Sequence, residues 1–576
     1  MERHARLVGL VLFVALAFVW FASVWSDPAH RHAGQLGDPD AYIFALAWPP
    51  FAVAHHMNPF FSTYLLAPTG ANLMWSIPPG FGLLLWPLTA IFGPVFTYNV
   101  LATLSLACSA WTAQLALRRF VPGEIGPFVG GLFYGFSPYM LVHSTAHAML
   151  TVAILPPLLL LLFHEVFVRQ RWRPVVAGLA IGGLLAFQIS TFLELLAGAA
   201  VAAIVLIVIV CVMYREEIRG RFRYVAVAAA SAVISFFVLS GYQVWTLLFG
   251  TRSLLHTHQL LHPQNAAVTD LFGFVVPTKF NAFTPTFVTH FVNHFSVQEL
   301  ELNGFIGLPL LIICVVIAVK HWNAASVRIA SIMTFAMALL SMGPRFQVRG
   351  TSTIALPWWL IEKLPLMGNL LPVRLSVFTD LGVGFLLAYG IAYRARPASR
   401  NQKALRAVAA AAVVFTMLPS HYLLKRLSAP TAAPSYFTSS EVKRIPQGSI
   451  ALVAPWTTGA SNIGPELWQV LAHFRFRLAS GYAYVPLSHG RVSSGLLIDD
   501  LEADMYQINI GIKAPDLHQP GVRAHLRQLV KKHKISTVIV GPMLHQPAML
   551  RYLTGVLGRP PEHTGGVYVW YRVGAP

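Results

Sequence analysis

Charged residues are scarce in this sequence, at only 11% of 576 residues, whereas hydrophobic residues make up 56%. The mean hydropathy of +0.61 excludes a soluble globular protein of this length, because too few polar side chains remain to cover its surface. The chain is therefore predicted to be an all-α polytopic membrane protein. The net charge of +19 does not indicate nucleic acid, because the basic residues form short clusters between apolar runs, as positive-inside topology predicts.

Cysteine is nearly absent as well. Cys108, Cys211 and Cys314 lie singly within apolar runs, so they provide neither the pairing of a disulfide framework nor the spacing of a zinc site. The first apolar stretch, at 7–25, has the length of a membrane span, and no small-residue cleavage site follows it. It is therefore predicted to be a retained first helix.

Apolar stretches of about twenty residues predict membrane-spanning helices. Hydropathy gives about twelve candidates, but the basic clusters share the cytoplasmic side only if an odd number of crossings separates Trp25 from Arg118. The short stretch at 78–93, which opens with two prolines, is therefore predicted to lie in the outer interface without crossing. About eleven spans remain, at 7–25, 97–117, 123–141, 148–168, 174–190, 193–213, 224–248, 303–319, 327–343, 372–393 and 405–424.

This topology places the N-terminus in the cytoplasm and three long loops outside, at 26–96, 249–302 and 344–371. A transmembrane domain is predicted for residues 1–424 and an extracytoplasmic domain for residues 425–576. Together they predict a multi-pass protein of a cytoplasmic (inner) membrane whose loops and C-terminal domain face outward.

The C-terminal region has a different pattern from the rest of the chain. Residues 449–454 and 537–540 have the composition of buried strands, 522–533 that of a helix, and 567–573 that of an alternating strand. These elements predict a small α/β domain. It contains no glycine-rich phosphate loop, so nucleotide binding is not assigned, and substrate positioning or partner contact is expected instead.

Asp38 and Asp40 flank Pro39 in an acidic turn just after the first span. Gly37 permits an unusual backbone angle and Pro39 stiffens the turn, so both carboxylates can be held at the membrane surface. Such a pair suits a general base or a metal ligand. A structural role also stays open, with Asp40 as the N-cap of a helix that begins at Ala41.

Three further polar residues are placed at the outer ends of spans. His143 and His147 have a four-residue spacing and are candidates to line one external cavity; ordinary polar interface residues are the alternative. Glu194 lies in the tight outer hairpin at 187–195. An acid at membrane depth normally faces a cavity or a partner, so Glu194 is a candidate site residue.

Basic residues on the outer side are rare, and Lys279, Arg345 and Arg374 depart from the positive-inside pattern. Arg374 lies at the mouth of a span, where a guanidinium can bind a lipid phosphate with two hydrogen bonds. Snorkelling towards lipid headgroups is the alternative. Glu299 and Glu301 are candidates to pair with these cations or to bind a divalent ion.

Five segments, in their order along the chain, resemble one family of membrane proteins. They are LGDPDAYIFALAW, NPFFSTYLLAPTGANLMW, GGLFYGFSPYMLVHSTAH, LNGFIGLPLL and LPVRLSVF. With the predicted topology, they make the chain similar to the GT-C superfamily of polyprenyl-phosphate-sugar-dependent glycosyltransferases, and to a poorly characterised bacterial branch of it. The resemblance implies inverting transfer of a sugar, on the outer membrane face, to a glycan, lipid or protein of the cell envelope.

The same resemblance implies roles for the site residues. Asp38 would be the general base, and Asp40 would orient the acceptor or substitute for Asp38. Arg374, with Lys279 or Arg345, would neutralise the departing lipid phosphate. The Asp-Pro-Asp spacing departs from the adjacent acids of several branches, so it leaves open which acid is the base.

The resemblance leaves the cofactor and the activity open. Members of the superfamily differ in metal dependence, and no tight acid or histidine cluster in the sequence decides between no metal and a divalent cation such as Mg²⁺ or Mn²⁺. A transporter or flippase of lipid-linked saccharide is an alternative, but it predicts functional charges at mid-membrane, and such charges are nearly absent. A non-catalytic assembly protein on the same scaffold is a second alternative.

Overall fold

Helices dominate the chain, because each helix satisfies its own backbone hydrogen bonds where lipid replaces water. The computed structural model describes residues 2–259, 261, 267–364, 366–393, 400–457, 463–495, 499–512 and 516–573. The helices of eight or more residues are α1 (Glu2–Trp20), α2 (Asp38–Ala54), α3 (Pro94–Leu117), α4 (Ile125–Gly135), α5 (Leu155–His164), α6 (Pro174–Thr191), α7 (Leu193–Met213), α8 (Arg215–Phe249), α9 (Leu308–Lys320), α10 (Ala325–Ser341), α11 (Ser376–Ala392), α12 (Arg400–Met417), α13 (Gly464–Leu471), α14 (Asp500–Asn509), α15 (Val522–Lys532) and α16 (Gln546–Leu557). Shorter helices span Ala22–Trp25, Gly80–Leu84, Trp86–Phe92, Pro138–His143, Ala148–Thr151, Thr286–Val292, Trp358–Ile361 and His421–Leu424.

Within the described residues, seven helical stretches are long and apolar enough to cross a membrane. They are Pro94–Leu117, Ile125–His143, Ala148–Arg169, Pro174–Thr191, Leu193–Met213, Arg215–Phe249 and Pro372–Ala392, and three shorter apolar helices are Leu7–Trp20, Leu308–Lys320 and Ala325–Ser341. Ten of the predicted spans fall on these helices, and the last, at 405–424, falls on α12 and His421–Leu424. The predicted polytopic helical architecture is confirmed, while the side on which the N-terminus lies stays a prediction.

The proline-rich stretch at 78–93 forms two short helices, Gly80–Leu84 and Trp86–Phe92. Helices of five and seven residues are only about 8 and 11 Å long, too short to cross the hydrocarbon core. The stretch therefore has the form expected of a segment that does not span the membrane.

Small residues bring the helices of the bundle together. A Cβ added to Gly130 of α4 would lie 2.5 Å from the carbonyl oxygen of Gly384 in α11, and one added to Gly384 would lie 2.8 Å from that of Gly130. Close backbone approach of this kind is typical of helix packing in lipid, where van der Waals contact replaces the hydrophobic effect. It fixes α11 against the helix that leads to His143.

A five-stranded mixed sheet lies in the C-terminal region, in the order β12–β13–β11–β7–β8. Its strands are β7 (Ile450–Ala454), β8 (Arg477–Leu478), β11 (Ile535–Val540), β12 (Glu562–Thr564) and β13 (Val567–Tyr571). Strand β7 pairs in parallel with β8 and β11, and β13 pairs antiparallel with β11. The α/β character and the predicted strands and helix are confirmed; the domain boundary at residue 425 stays a prediction.

The C-terminal region contacts the first long loop at several places. Strand β1 (Arg31–Ala33) pairs antiparallel with β6 (Ser428–Pro430). The amides of Leu66 and Ala67 donate to the carbonyls of Ser480 and Leu478, at 3.0 and 2.8 Å. Helix α13 packs against α2. These contacts hold the C-terminal region over the start of α2, where Asp38 lies. The remaining strands are two-residue pairs, β2 (Phe61–Ser62) with β3 (Ala71–Asn72) and β9 (Val485–Pro486) with β10 (Val492–Ser493), and a hairpin of β4 (Arg345–Val348) and β5 (Thr351–Ala355).

Candidate functional site

The acidic turn opens α2. Gly37 precedes the helix with φ +127° and ψ −122°, a backbone conformation that only glycine adopts without strain. Asp38, Pro39 and Asp40 form the first helical turn, where the helix dipole favours negative charge. The N-cap is Gly37, so the interpretation of Asp40 as the cap is wrong: the helix begins three residues earlier than expected, because proline fits the first turn.

Asp38 contacts a pair of histidines. Its Oδ2 lies 2.9 Å from Nε2 of His147, and Nδ1 of His147 lies 3.1 Å from Nδ1 of His143. The side chains of Asp38 and His147 are mostly shielded from solvent. The four-residue spacing brings the two histidines together, although His143 ends a short helix and His147 lies in the turn after it. That helix starts at Pro138, with Ser137 as its side-chain cap.

The histidine pair leads to a buried acid. Nε2 of His143 lies 2.8 Å from Nδ2 of Asn303 and 3.7 Å from Oε2 of Glu301. Glu301 ends a 3₁₀ turn just before α9 and is 3% exposed. Burial alone would raise the pKa of Glu301, but the charge of Arg374, the largest opposing cause, lowers it to about 2. Glu301 is therefore ionised and holds a fixed negative charge inside the site.

Arg374 completes this chain of contacts. Its Nε and Nη2 donate to Oε1 of Glu301 at 3.1 and 2.6 Å, and its Nη1 donates to Oε2 of Glu194. Arg374 lies in a 3₁₀ turn that precedes α11, and Glu194 lies in the first turn of α7. One continuous set of polar contacts thus joins Asp38 to Arg374, with His147, His143 and Glu301 between them.

Asp40 has a more enclosed environment than Asp38. It is 2% exposed, and its Oδ1 lies 3.6 Å from Nε2 of the fully buried His32. Burial raises the pKa of Asp40 to about 7, and the nearby Asp38 charge adds to this effect. Burial also lowers the pKa of His32, so the imidazole is neutral and does not stabilise an ionised Asp40.

The C-terminal region supplies part of the wall around Asp38 and Asp40. Glu466 of α13 is fully buried, and its Oε1 accepts a hydrogen bond from the amide of Tyr482. Burial raises the pKa of Glu466 to about 8, and the charges of Asp40 and Asp38 act in the same direction. The amide of Tyr484 donates to Oγ of Ser76 at 2.8 Å. The acids of the first loop are therefore covered by residues from more than 400 positions later in the sequence.

Seven of the predicted site residues come together in the structure. They are Asp38, Asp40, His143, His147, Glu194, Glu301 and Arg374. Lys279 and Arg345 do not join them. Lys279 pairs with Glu299 at 2.9 Å in a separate cluster with Arg426, and Arg345 is exposed on β4. The expected pairing of Glu299 and Glu301 with cations is confirmed.

A possible metal-binding cluster is present where the sequence showed none. Ligand atoms of His143, His147 and Glu301 lie within 4.8 Å of one another. Two imidazoles and one carboxylate suit Zn²⁺ or Mn²⁺ better than Mg²⁺, which prefers oxygen ligands and water. The sequence does not reveal this cluster, because Glu301 is 154 residues from His147 and only the fold brings them together.

Sequence reasoning also missed His32, Asn303, Asp380 and Glu466. Asp380 is a buried acid inside the stretch Pro372–Ala392, and it makes a hydrogen bond with Ser137. The expectation that mid-span charges are nearly absent therefore needs this correction. An acid within an apolar span was a visible signal; nothing local marked His32, Asn303 or Glu466.

A cavity of about 520 Å³ lies between α5, α7, α10 and α11. Its lining is mainly apolar, with Tyr214, Glu217 and Arg221 at one end. At the other end it reaches Ala199 of α7 and Phe378 of α11. These residues follow Glu194 and Arg374 by about one helical turn, so the cavity lies directly along the helices that carry the Arg374–Glu194 pair.

Neither the known family models nor the curated proteins match this chain. Among solved structures, the arabinofuranosyltransferase AftD from Mycobacteria matches 100% of this chain with a TM-score of 0.55 and 16% identity. The chain spans only 40% of the length of AftD. ArnT from Cupriavidus metallidurans bound to undecaprenyl phosphate has a TM-score of 0.48 and 13% identity, with 98% of this chain and 99% of ArnT covered.

An oligosaccharyltransferase of Archaeoglobus fulgidus, tethered with an acceptor peptide, has a TM-score of 0.48 and 14% identity, with 93% of this chain and 68% of that protein covered. Because the last two scores lie below 0.5, the assignment of the fold rests on AftD. The chain is a polytopic membrane protein with a GT-C-like fold. At these identities the likeness establishes the fold, and the chemistry is argued from the site.

Proposed function

We propose that this protein is an integral membrane glycosyltransferase that moves a sugar from a polyprenyl-phosphate donor to an acceptor outside the cytoplasm. The observation that carries the proposal is the continuous set of contacts from Asp38 to Arg374. These contacts join a carboxylate to a guanidinium, and the helices that follow Glu194 and Arg374 also line an apolar cavity. Transfer from a lipid phosphate requires a base for the acceptor and a cation for the leaving group.

The donor occupies the Arg374 side of the site. The guanidinium binds the lipid phosphate, because planar donors match phosphate oxygens. The isoprenoid tail lies in the cavity of about 520 Å³, whose walls continue from α7 and α11. Membrane lipids surround the remaining helix surfaces, and the donor reaches the site within the bilayer.

The acceptor occupies the Asp38 side. Its hydroxyl oxygen attacks the anomeric carbon and forms the new glycosidic bond, while the bond from that carbon to the phosphate oxygen breaks with inversion. The hydroxyl proton passes to Asp38, and the electron pair of the broken bond leaves on the phosphate, whose charge Arg374 neutralises. The acceptor is a glycan, lipid or protein of the cell envelope, outside a cytoplasmic (inner) membrane.

Asp38 rather than Asp40 is assigned as the base. The contact of Asp38 with His147 supports this assignment, because it connects Asp38 through His143 and Glu301 to Arg374. Asp40 is enclosed beside neutral His32. His147 acts as a positioning residue that orients the Asp38 carboxylate.

The burial of Asp380 within a span favours transport as a second function, because such acids are common in proton and substrate pathways. Flipping of a lipid-linked saccharide would depend on Asp380 and not on Asp38. The two functions are therefore separated by comparing Asp380→Asn with Asp38→Asn in cells that make the same surface glycan.

The function is tested with Asp38→Asn against Asp27→Asn in membranes of the source cells. Asp27 lies in the same loop but has a half-exposed side chain and pairs with the exposed His30 at 2.9 Å, so it is a matched acid outside the site. We expect the surface glycan to be lost with Asp38→Asn and retained with Asp27→Asn, at equal protein levels. An unchanged glycan with both Asp38→Asn and Asp40→Asn would contradict the catalytic assignment and favour a non-catalytic assembly protein.

A further inference from the structure

Two carboxylates share the single guanidinium of Arg374, and they are held very differently. The side chain of Glu301 is 2% exposed, whereas that of Glu194 is 32% exposed. Arg374 itself is 13% exposed. The group of three therefore carries more negative than positive charge, and its accessible side is the one that Glu194 occupies.

Glu301 is fixed to Arg374 from several directions. Two nitrogens of Arg374, Nε and Nη2, donate to the same oxygen of Glu301. Its other oxygen is approached by Asn303 at 3.5 Å and by His143 at 3.7 Å. Removing Glu301 from Arg374 would leave a buried charge without a partner, which is strongly unfavourable.

Glu194 contacts Arg374 through Nη1 alone. It lies in the first turn of α7, directly after the break between α6 and α7 at Phe192, where φ is −158°. A glutamate side chain with one charged contact and partial access to solvent can leave its partner at low cost, because water solvates the released carboxylate.

We propose that Glu194 is an exchangeable counter-ion of Arg374, which the phosphate of the lipid donor displaces from Nη1. This inference rests on the proposed function, because it assumes that Arg374 binds that phosphate. The cavity wall reaches Ala199 below Glu194 and Phe378 below Arg374. A lipid tail in the cavity therefore brings its phosphate between these two residues, and Glu194 must yield.

The exchange makes Glu194 a residue that sets the affinity of the site for phosphate. A free anion gains the Arg374 contact only by breaking the existing one and by meeting the negative charge of Glu194. A lipid phosphate gains in addition the burial of its apolar tail. Glu194 therefore weakens the binding of every phosphate, and a ligand that also buries a tail has the additional binding energy needed to displace it.

The proposal is tested by binding of undecaprenyl phosphate to the detergent-solubilised full-length protein, followed by native mass spectrometry. Undecaprenol, which has the tail without the phosphate, and inorganic phosphate, which lacks the tail, are measured beside it. The variant is Glu194→Gln. Its matched control is Glu299→Gln, because Glu299 is also a partly exposed acid in an ion pair, with Lys279 and Arg426.

We expect Glu194→Gln to bind undecaprenyl phosphate on the order of tenfold more tightly than the natural protein, because a like charge near the phosphate is removed. The affinity for inorganic phosphate should be weaker in the natural protein and should rise by a similar factor in Glu194→Gln. Undecaprenol binding should be the same in all proteins, and Glu299→Gln should bind all three ligands as the natural protein does. Glu194→Asp, which keeps the charge on a shorter side chain, should show a smaller gain.

Equal or weaker binding of undecaprenyl phosphate by both Glu194 variants would overturn the inference and leave the proposed function intact, provided the natural protein prefers undecaprenyl phosphate to undecaprenol. A gain that extends equally to undecaprenol would also overturn it. If the natural protein does not distinguish the two lipids, the phosphate role of Arg374, and the proposed function with it, is wrong. A Glu194→Gln protein that fails to fold leaves Glu194→Asp to decide by the same criteria.

Discussion

Asp38 and Asp40 lie two residues apart on α2, yet they face different surroundings. Asp38 meets His147 at 2.9 Å and connects through it to the Arg374 group. Asp40 meets His32 at 3.6 Å in a compartment in which both side chains are almost fully buried. The first acid belongs to a set of charged partners, whereas the second lies beside a neutral imidazole and is affected by the like charge of Asp38.

The difference shows why a pKa near neutrality does not by itself identify a general base. Burial raises the pKa of Asp40 to about 7, which is a favourable value for a base at neutral pH. A base must also reach the acceptor hydroxyl, and the side chain of Asp40 is 3% exposed against 9% for Asp38. Position therefore favours Asp38, and burial gives Asp40 a structural role in the turn.

The largest effect is expected for Asp38→Asn. An amide cannot accept the acceptor proton, so transfer should fall by about 10² to 10⁴ fold. The rate of glycan labelling in membranes with equal protein levels measures this loss. A comparable loss with Asp40→Asn and none with Asp38→Asn would reverse the assignment of the two acids.

A smaller effect is expected for His147→Gln, which removes the imidazole that orients Asp38. Transfer should fall by about 10-fold or somewhat more, because the carboxylate remains but is no longer held in place. The control is His30→Gln, since His30 makes the same 2.9 Å contact with Asp27 in an exposed pair. Equal activity of the two histidine variants would show that the buried contact has no positioning role.

The sequence predicted the helical architecture because lipid-facing residues must be apolar over the length of a span, a pattern that is visible locally. It also selected most of the residues that come together in the candidate site. Asp38, Glu194 and Arg374 are ionisable residues at the ends of spans, where each departs from its apolar surroundings. The C-terminal strands were predictable for the complementary reason, since β7 is a short apolar run in a polar region.

The remaining site residues depend on long-range packing that local patterns do not record. Glu466 reaches the acids only because α13 packs on α2, and Glu301 meets His147 only through the fold. Lys279 and Arg345 were selected by the positive-inside rule, which reports topology and not proximity. Their predicted role in phosphate binding has no geometric support, because Lys279 is engaged with Glu299.

The smallest effect on transfer is expected for Asp40→Asn, at no more than about threefold, but its effect on stability should depend on pH. The folded protein keeps the Asp40 proton up to about pH 7, whereas an unfolded Asp side chain loses its proton near pH 4. Between these values the folded state binds more protons, so this contribution to stability is full below about pH 4 and is lost as pH rises towards 7.

Asn has no proton to lose, so Asp40→Asn should gain stability relative to the natural protein as pH rises from 5 to 7.5. The upper limit of this gain is about 2.5 kcal/mol between pH 5 and 7.5, out of about 4 kcal/mol for the complete titration of Asp40. Melting temperatures of the detergent-solubilised proteins measure it, with Asp27→Asn as the exposed control. Burial raises the pKa of Glu466 to about 8. Glu466 therefore contributes to the pH dependence of stability in the variant as well as in the natural protein. A melting difference that stays constant over this range would mean that Asp40 is already ionised in the folded protein, and the contrast with Asp38 would lose its electrostatic basis.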